Sequence, residues 1–250
     1  MRIAVVSDIH GNLTALEAII ADLRTTGVDL VVCGGDLVTG GPRSAEVIDR
    51  VRELRWRAVY GNTDEMLWAP HRVSETLRSA PVQRIRELIL AHTVPATLDQ
   101  IGDERLTWLK TLPLRWSNGD VAVVHAGPDD PWHVTLPSAS DEELARVYGV
   151  LDARVVVYGH VHVPFVRSLP PPAVASVNAR RMTIANAGAV SQSFDGDPRA
   201  SYAVVDEGHV EIRRVAYDLD EEIRLLRNSD DPFAESTIET LCSGRYVALS

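Results

Sequence analysis

At 250 residues the chain is 45% hydrophobic, enough to bury a core of enzyme size, and 35 acidic against 25 basic residues leave a formal charge of −10. That balance excludes the broad basic surface on which undirected nucleic-acid binding depends, and the lack of an apolar run of about 18 residues excludes a helical membrane span. Met1 passes into RIAVVSD without a leader-like basic and apolar stretch, so a cytoplasmic protein is expected, in whose reducing surroundings Cys33 and Cys242, which lack metal-type spacing, stay free thiols.

In chain order, short β-branched runs alternate with amphipathic segments of helix length, the pattern of βαβ units around a buried sheet. RIAVVS opens as a strand. Asn12 caps a helix running to Arg24, in which Leu13, Leu16, Ile19, Ile20 and Leu23 share a face and Gly27 lies just past the end. DLVVCG is the second strand, residues 44–55 the second helix and WRAVYG the third strand. Residues 66–112 then lose the strand pattern. LRSAPVQRIRELILAH repeats at helical spacing and another helix is predicted over 103–111, so this stretch reads as a helical, cap-like insertion.

The strand pattern resumes with DVAVVHAG. A helix follows from Ser140, where Ser140 and Glu143 have capping-box spacing, and then RVVVYGHVH. From about residue 164 short strands and hairpins dominate, among them RMTIANAG, ASYAVVD and VEIRRVAY. LPPPA at 169–173 reads as a loop or edge excursion, because proline donates no ladder hydrogen bond. The acid-rich stretch 218–242 reads as one or two helices. No repeat or low-complexity linker divides the chain, so residues 1–250 are expected to form a single domain, with 66–112 inserted in it.

Five of the apolar runs end in a metal-capable side chain: Asp8 and His10, Asp36, Asn62, His125, then His160 and His162. In open α/β sheets the carboxyl edge is where ligands bind, since the loops there converge on one crevice. Each residue alone has a structural explanation, a core histidine with its hydrogen bonds met or a turn or helix cap. Five unrelated caps have no need of this composition, and the joint pattern favours a site. H-E-x-x-H, G-x-S-x-G, G-x-G-x-x-G and the P-loop are all absent, which leaves zincin, serine-nucleophile and dinucleotide or P-loop nucleotide readings without a foothold. A metal-dependent amidohydrolase would place His-x-His after its first strand, where this chain has Asp8-x-His10.

With DIHGN at 8–12, GGD at 34–36, GNTD at 61–64, VHAGP at 124–128 and GHVH at 159–162, the chain resembles the calcineurin-like metallophosphoesterase superfamily. NAGAVSQSFDGDPRASYAVVD at 186–206 extends the likeness toward the small prokaryotic phosphodiesterase branch. The resemblance implies a four-layer α/β/β/α sandwich with two divalent transition metal ions at the strand ends. Manganese is expected first, with iron, zinc, nickel or cobalt as alternatives, a choice that suits mixed oxygen and imidazole ligands. Carried over by position, Asp8, His10, Asp36 and His162 hold one ion and Asp36, Asn62, His125 and His160 the other, with Asp36 as the bridge. A water activated between the ions is the implied nucleophile on phosphorus, and the pair of cations gives an acidic protein a pocket for an anionic ester.

Asp36, Asn62 and Asp64 are the residues expected to serve catalysis, Asp64 by orienting its loop or moving a proton, with a helix cap as its structural alternative. Asn12, Thr63, Trp132 and His133 are candidate substrate contacts, and Arg72 and Arg78 on the insertion either meet a second phosphate or are solvated helix charges. Many family members have a histidine where this chain has Thr63, which cannot act as an acid near neutral pH, so poor leaving groups are expected to react slowly. NAGAV departs from the Asn-Pro-Gly-Ser form expected of the branch. The expected partner is a small phosphoester or nucleotide substrate, with a phosphodiester favoured. A dinucleoside polyphosphate hydrolase or phosphomonoesterase is the alternative, and a metal-stabilised scaffold or nucleotide sensor the alternative outside enzymes.

Overall fold

The computed structural model describes residues 1–78, 82–170 and 181–247. Strands β1 (Ile3–Val6), β2 (Leu30–Cys33) and β3 (Arg57–Ala58) run parallel, and β9 (Ala200–Asp206) and β10 (His209–Val215) join antiparallel beyond β1, giving the order β10-β9-β1-β2-β3. The second sheet has the order β4-β5-β6-β8-β7. Its centre, β5 (Val121–Val124), β6 (Val155–Tyr158) and β8 (Met182–Asn186), is parallel, and β4 (Arg115–Ser117) and β7 (Phe165–Leu169) pair antiparallel at the edges.

Strand alternation sorts the apolar residues into three layers of core. Ile3, Val5 and Val32 of the first sheet meet Val123, Val155 and Val157 of the second, so the sheets stack face to face. From the other face of the first sheet, Ala4, Val6 and Cys33 pack with α1 (Leu13–Thr26) and α2 (Ser44–Glu53). From the far face of the second, Val124, Val156 and Tyr158 pack with Leu144 and Tyr148 of α7 (Asp141–Tyr148). The result is the expected α/β/β/α sandwich. Burial on both faces is why the central strands read as continuous apolar runs rather than as alternating ones.

The predicted caps hold: Asn12 Oδ1 accepts from the Ala15 amide at 2.9 Å, Ser140 Oγ from that of Glu143 at 3.2 Å, and Gly27 takes the left-handed conformation after α1. The insertion folds as α3 (Asn62–Glu65), α4 (His71–Thr76), α5 (Gln83–Leu88), a π-helical turn at Ile89–Thr93 and α6 (Val94–Leu109). The helix predicted over 103–111 therefore starts earlier, at Val94, with Pro95 in its first turn and a break at Gly102 (φ 68°). Strand β4 was not expected, because a short edge strand reading Arg-Trp-Ser has no apolar alternation to betray it. Leu169 ends edge strand β7, while 171–173 of the predicted proline excursion lie outside the described residues. The acidic tail forms α8 (Leu219–Arg227) and α9 (Ala234–Ser243). Among the described residues no helix is long and apolar enough to cross a membrane.

Candidate metal centre

The carboxyl ends of β1, β2, β3, β5 and β6 face one crevice and carry Asp8 and His10, Asp36, Asn62, His125, and His160 and His162. The first two loops are zipped together: the Asp8 amide donates to the Gly35 carbonyl at 3.0 Å, those of Ile9 and His10 to the Asp36 carbonyl at 2.9 Å, and that of Gly11 to Leu37 at 3.0 Å. Asp8, His10, Asp36, His160 and His162 all have positive φ, between 49° and 66°, which turns the chain sharply after each strand and brings the side chains inward. Two glycines are required by close approach. A Cβ on Gly61 would strike the Asp36 carboxylate, and one on Gly159 would strike Ser7 Oγ and the Asp8 carboxylate.

All seven candidate ligands come together. His162 Nε2 is 3.3 Å from Asp8 Oδ1, and Asp36 Oδ2 lies between His10 Nε2 at 3.6 Å and His125 Nε2 at 3.4 Å. Asn62 Oδ1 is 2.8 Å from His160 Nδ1 and 2.9 Å from His125 Nε2. The tautomers are set from outside the crevice. His10 Nδ1 faces the Thr39 carbonyl at 3.1 Å, His125 Nδ1 that of Gly34 at 3.0 Å and His162 Nδ1 that of Gln192 at 2.6 Å, so each Nδ1 carries a proton and each Nε2 faces inward, free to bind a cation once any proton on it has left. His10 Nε2 and His162 Nε2 then face each other at 3.2 Å. Two neutral imidazoles so arranged repel unless a proton or a cation lies between them. A divalent cation fits this donor set of carboxylate, amide oxygen and imidazole, and the set excludes both thiols: Cys33 is buried in β2 and Cys242 is exposed on α9.

The electrostatics have the same origin. Burial raises the Asp36 carboxyl, but the facing His125, His10 and His160 outweigh it and hold the group below the ordinary carboxylate range; His162 does the same to Asp8. Burial alone would lower His125, yet Asp36 and Asp8 lift it to about 9, and Asp8 lifts His162. Burial and the charge of His125 push His160 down to about 4. In the absence of metal the crevice is thus held together by ion pairs of Asp36 with His125 and Asp8 with His162, protons that a cation must displace.

Asp64 is fully buried at the third position of α3, where Oδ2 accepts from the Gly61 amide at 2.9 Å and Oδ1 from those of Leu37 at 3.0 Å and Val38 at 3.3 Å. Burial and the nearby Asp36 raise it to about 7 in spite of those donors. It caps its helix and joins the Asp36 loop to the Asn62 loop. Thr63 lines the crevice, its amide donating to Asp36 Oδ1 at 2.9 Å and its hydroxyl to the Val38 carbonyl at 3.1 Å. Trp132 also reaches the crevice, with Nε1 donating to Glu65 Oε2 at 2.7 Å.

The other two candidate substrate contacts lie elsewhere: Asn12 is buried as the cap of α1, and His133 is exposed outside the crevice. Arg72 of α4 is half-buried and taken up by Asp130, Glu65 and Glu75 rather than solvated, and Arg78 is exposed just past the end of that helix. Asn186 of NAGAV donates to the Gly159 carbonyl and accepts from the Gly188 amide, so it braces the GHVH turn. Sequence reasoning missed the carbonyls of Gly34, Thr39 and Gln192 that orient the imidazoles, for which no side chain gives a signal, and Phe194, which stacks on His162 at 4.5 Å.

A family model for the calcineurin-like phosphoesterase superfamily domain matches residues 1–209, and the chain belongs to that superfamily. Its class is therefore the expected one, a metal-dependent phosphoesterase. A metallophosphoesterase from Sphaerobacter thermophilus shares 31% identity and a TM-score of 0.76, with 98% of this chain and 100% of that one covered. A hypothetical protein from Pyrococcus horikoshii shares the fold at a TM-score of 0.77 and 19% identity, covering 98% and 99%. An uncharacterized protein of Methanocaldococcus jannaschii is 30% identical over 87% of this chain and 88% of its own length. The symmetrical bis(5'-nucleosyl)-tetraphosphatase of Pectobacterium carotovorum is 33% identical over 56% of this chain, a match that spans 47% of that enzyme.

Proposed function

We propose that the chain is a cytoplasmic phosphodiesterase in which Asp8, His10, Asp36 and His162 hold one divalent cation and Asp36, Asn62, His125 and His160 a second, manganese being the first choice for both. The observation that carries this reading is the convergence of Asp8, His10 and His162, and of Asp8, Asp36 and His125, on one buried crevice, with the His10 and His162 Nε2 atoms 3.2 Å apart. When bound, such a pair supplies an activated water and stabilises charge on the phosphoryl oxygens. The protein's own part is positional. Backbone carbonyls on Nδ1 of His10, His125 and His162 keep those rings from turning, and Asp36 sits between the two groups of ligands.

Asp64 acts as a positioning residue by joining the loops of Asp36 and Asn62. Thr63 has its hydroxyl proton committed to the Val38 carbonyl, so it gives no proton to a departing alkoxide, and esters with good leaving groups react first. Because β1 and β9 share a sheet and Glu222 of α8 accepts from Thr14 of α1, residues 1–250 are read as one working domain.

A second reading, hydrolysis of dinucleoside polyphosphates, draws on the similarity to symmetrical bis(5'-nucleosyl)-tetraphosphatases over about half of each chain. The test is turnover by metal-stripped protein reloaded with manganese, nickel or zinc, offered an aryl phosphodiester, an aryl phosphomonoester and a dinucleoside tetraphosphate. Metal-dependent cleavage of the diester that disappears in His160→Ala is the expected result. Two bound metals with no turnover of any of the three would move the balance to a scaffold or sensor.

A further inference from the structure

Beside the metal centre lies a cavity of about 450 Å³. His10, Asn62 and His160 form its floor. The insertion supplies one wall through Val73, Leu77, Ile85 and Ile89, and the C-terminal segment supplies another through Phe233 and Tyr246. Trp132 and Val134 close a third side. Among the described residues no Asp, Glu, Lys or Arg lines it. Arg72 packs over the Trp132 ring while tied to Asp130, Glu65 and Glu75, and Arg86 donates to the Leu77 carbonyl; neither lines the cavity.

We propose that this cavity receives an uncharged, largely apolar ester group of a monoanionic phosphodiester, a selectivity that rests on the hydrolase reading above. A single phosphoryl group has its counter-charge at the floor. Each further phosphate of a polyphosphate chain would lie against uncharged walls, losing hydration without gaining a cationic partner. An apolar group gains by leaving water there, and the volume is well above the roughly 150 Å³ that holds a benzene ring. Hydroxyls of Thr76, Thr93 and Thr237 allow a few polar atoms on that group.

The experiment uses manganese-loaded full chain. Turnover of p-nitrophenyl phenyl phosphate is compared with that of p-nitrophenyl methyl phosphate, and calorimetric affinity for diphenylphosphinate with that for dimethylphosphinate. The phenyl compounds are expected to lead by roughly 10- to 100-fold in kcat/KM and in Kd, and Leu77→Asp and Ile89→Asp should each bring the ratios close to one. Ile85→Asp replaces either variant if it fails to fold. Equal kcat/KM for the two diesters, or a dinucleoside tetraphosphate preferred over the phenyl diester, overturns the cavity assignment and leaves the hydrolase reading standing. No turnover of either diester or of the dinucleoside tetraphosphate with two metals bound overturns the hydrolase reading instead. The phosphinate titration then decides the cavity alone, equal affinities counting against it.

Discussion

Positive φ is costly for non-glycine side chains, and five of the seven candidate ligands adopt it: Asp8, His10, Asp36, His160 and His162. Folding bears that strain because each side chain has to leave its strand and point into the crevice. His162→Gly is expected to melt above His162→Ala by about 1 kcal/mol, since glycine takes this conformation freely, while both variants lose metal; equal melting in thermal scans would remove the strain argument. The same residues set the proton balance. Asp36 raises His125 from near 6.5 to about 9, so at neutral pH the metal-free protein holds a proton there that a cation must expel. Metal affinity should therefore keep rising with pH until about 9, with proton release visible by calorimetry in buffers of different ionisation enthalpy. Affinity that levels off by pH 7 would mean that His125 is already neutral. In stability terms this raised group helps the metal-free fold fully below about pH 6.5, and that help fades as pH rises through about 9.

At the scale of elements, α3 is too short to be stable by itself, and Asp64 is what places it. One carboxylate satisfies the amides of Gly61, Leu37 and Val38, so Asp64→Ala leaves three buried donors without partners. The expected loss is about 3 kcal/mol or more of stability, together with weaker metal binding, because the Asp36 and Asn62 loops come apart. Unchanged melting and metal affinity would assign the loop geometry to the glycines instead. The insertion works on a different principle. Val94, Ile101 and Leu109 anchor it in the outer core, and the segment around Leu77 and Ile89 overhangs the crevice. Helical periodicity makes such a segment legible as helix. It does not say which face looks at a substrate, and it does not show the break at Gly102.

At the scale of the whole molecule, the C-terminal helices are joined to the first helix by a buried polar cluster. Glu222 is fully buried, with Oε2 accepting from Thr14 at 2.7 Å and from Arg43 at 3.3 Å, and Arg43 donates its amide to Gly11 next to the metal loop. Burial raises the Glu222 carboxyl above its ordinary range despite those donors. A raised carboxyl favours the fold below the unfolded value near 4.5, and that contribution is lost as pH rises through the folded value. Glu222→Gln should therefore gain melting temperature relative to the parent as pH goes from 4 to 8. A difference that stays constant across that range would show that Glu222 titrates as in the unfolded chain.

Chain order and periodicity determined, from the sequence alone, the alternation of strands and helices, the helix caps at Asn12 and Ser140 and the seven side chains at the strand ends, because those signals are local and repeat within a few residues, whereas the sandwich was legible only through the family resemblance. The tertiary structure decided what depends on distant segments meeting: the facing of His10 and His162 across 152 positions, the carbonyls that set their tautomers, and the cap role of Asp64. It also decided that Asn12 and His133 lie away from the crevice while Thr63 and Trp132 line it. An uncharged cavity built from the insertion, the Trp132 loop and the C-terminal segment has no signature in any one of them, since each contributes only a few apolar side chains that read alone as ordinary core.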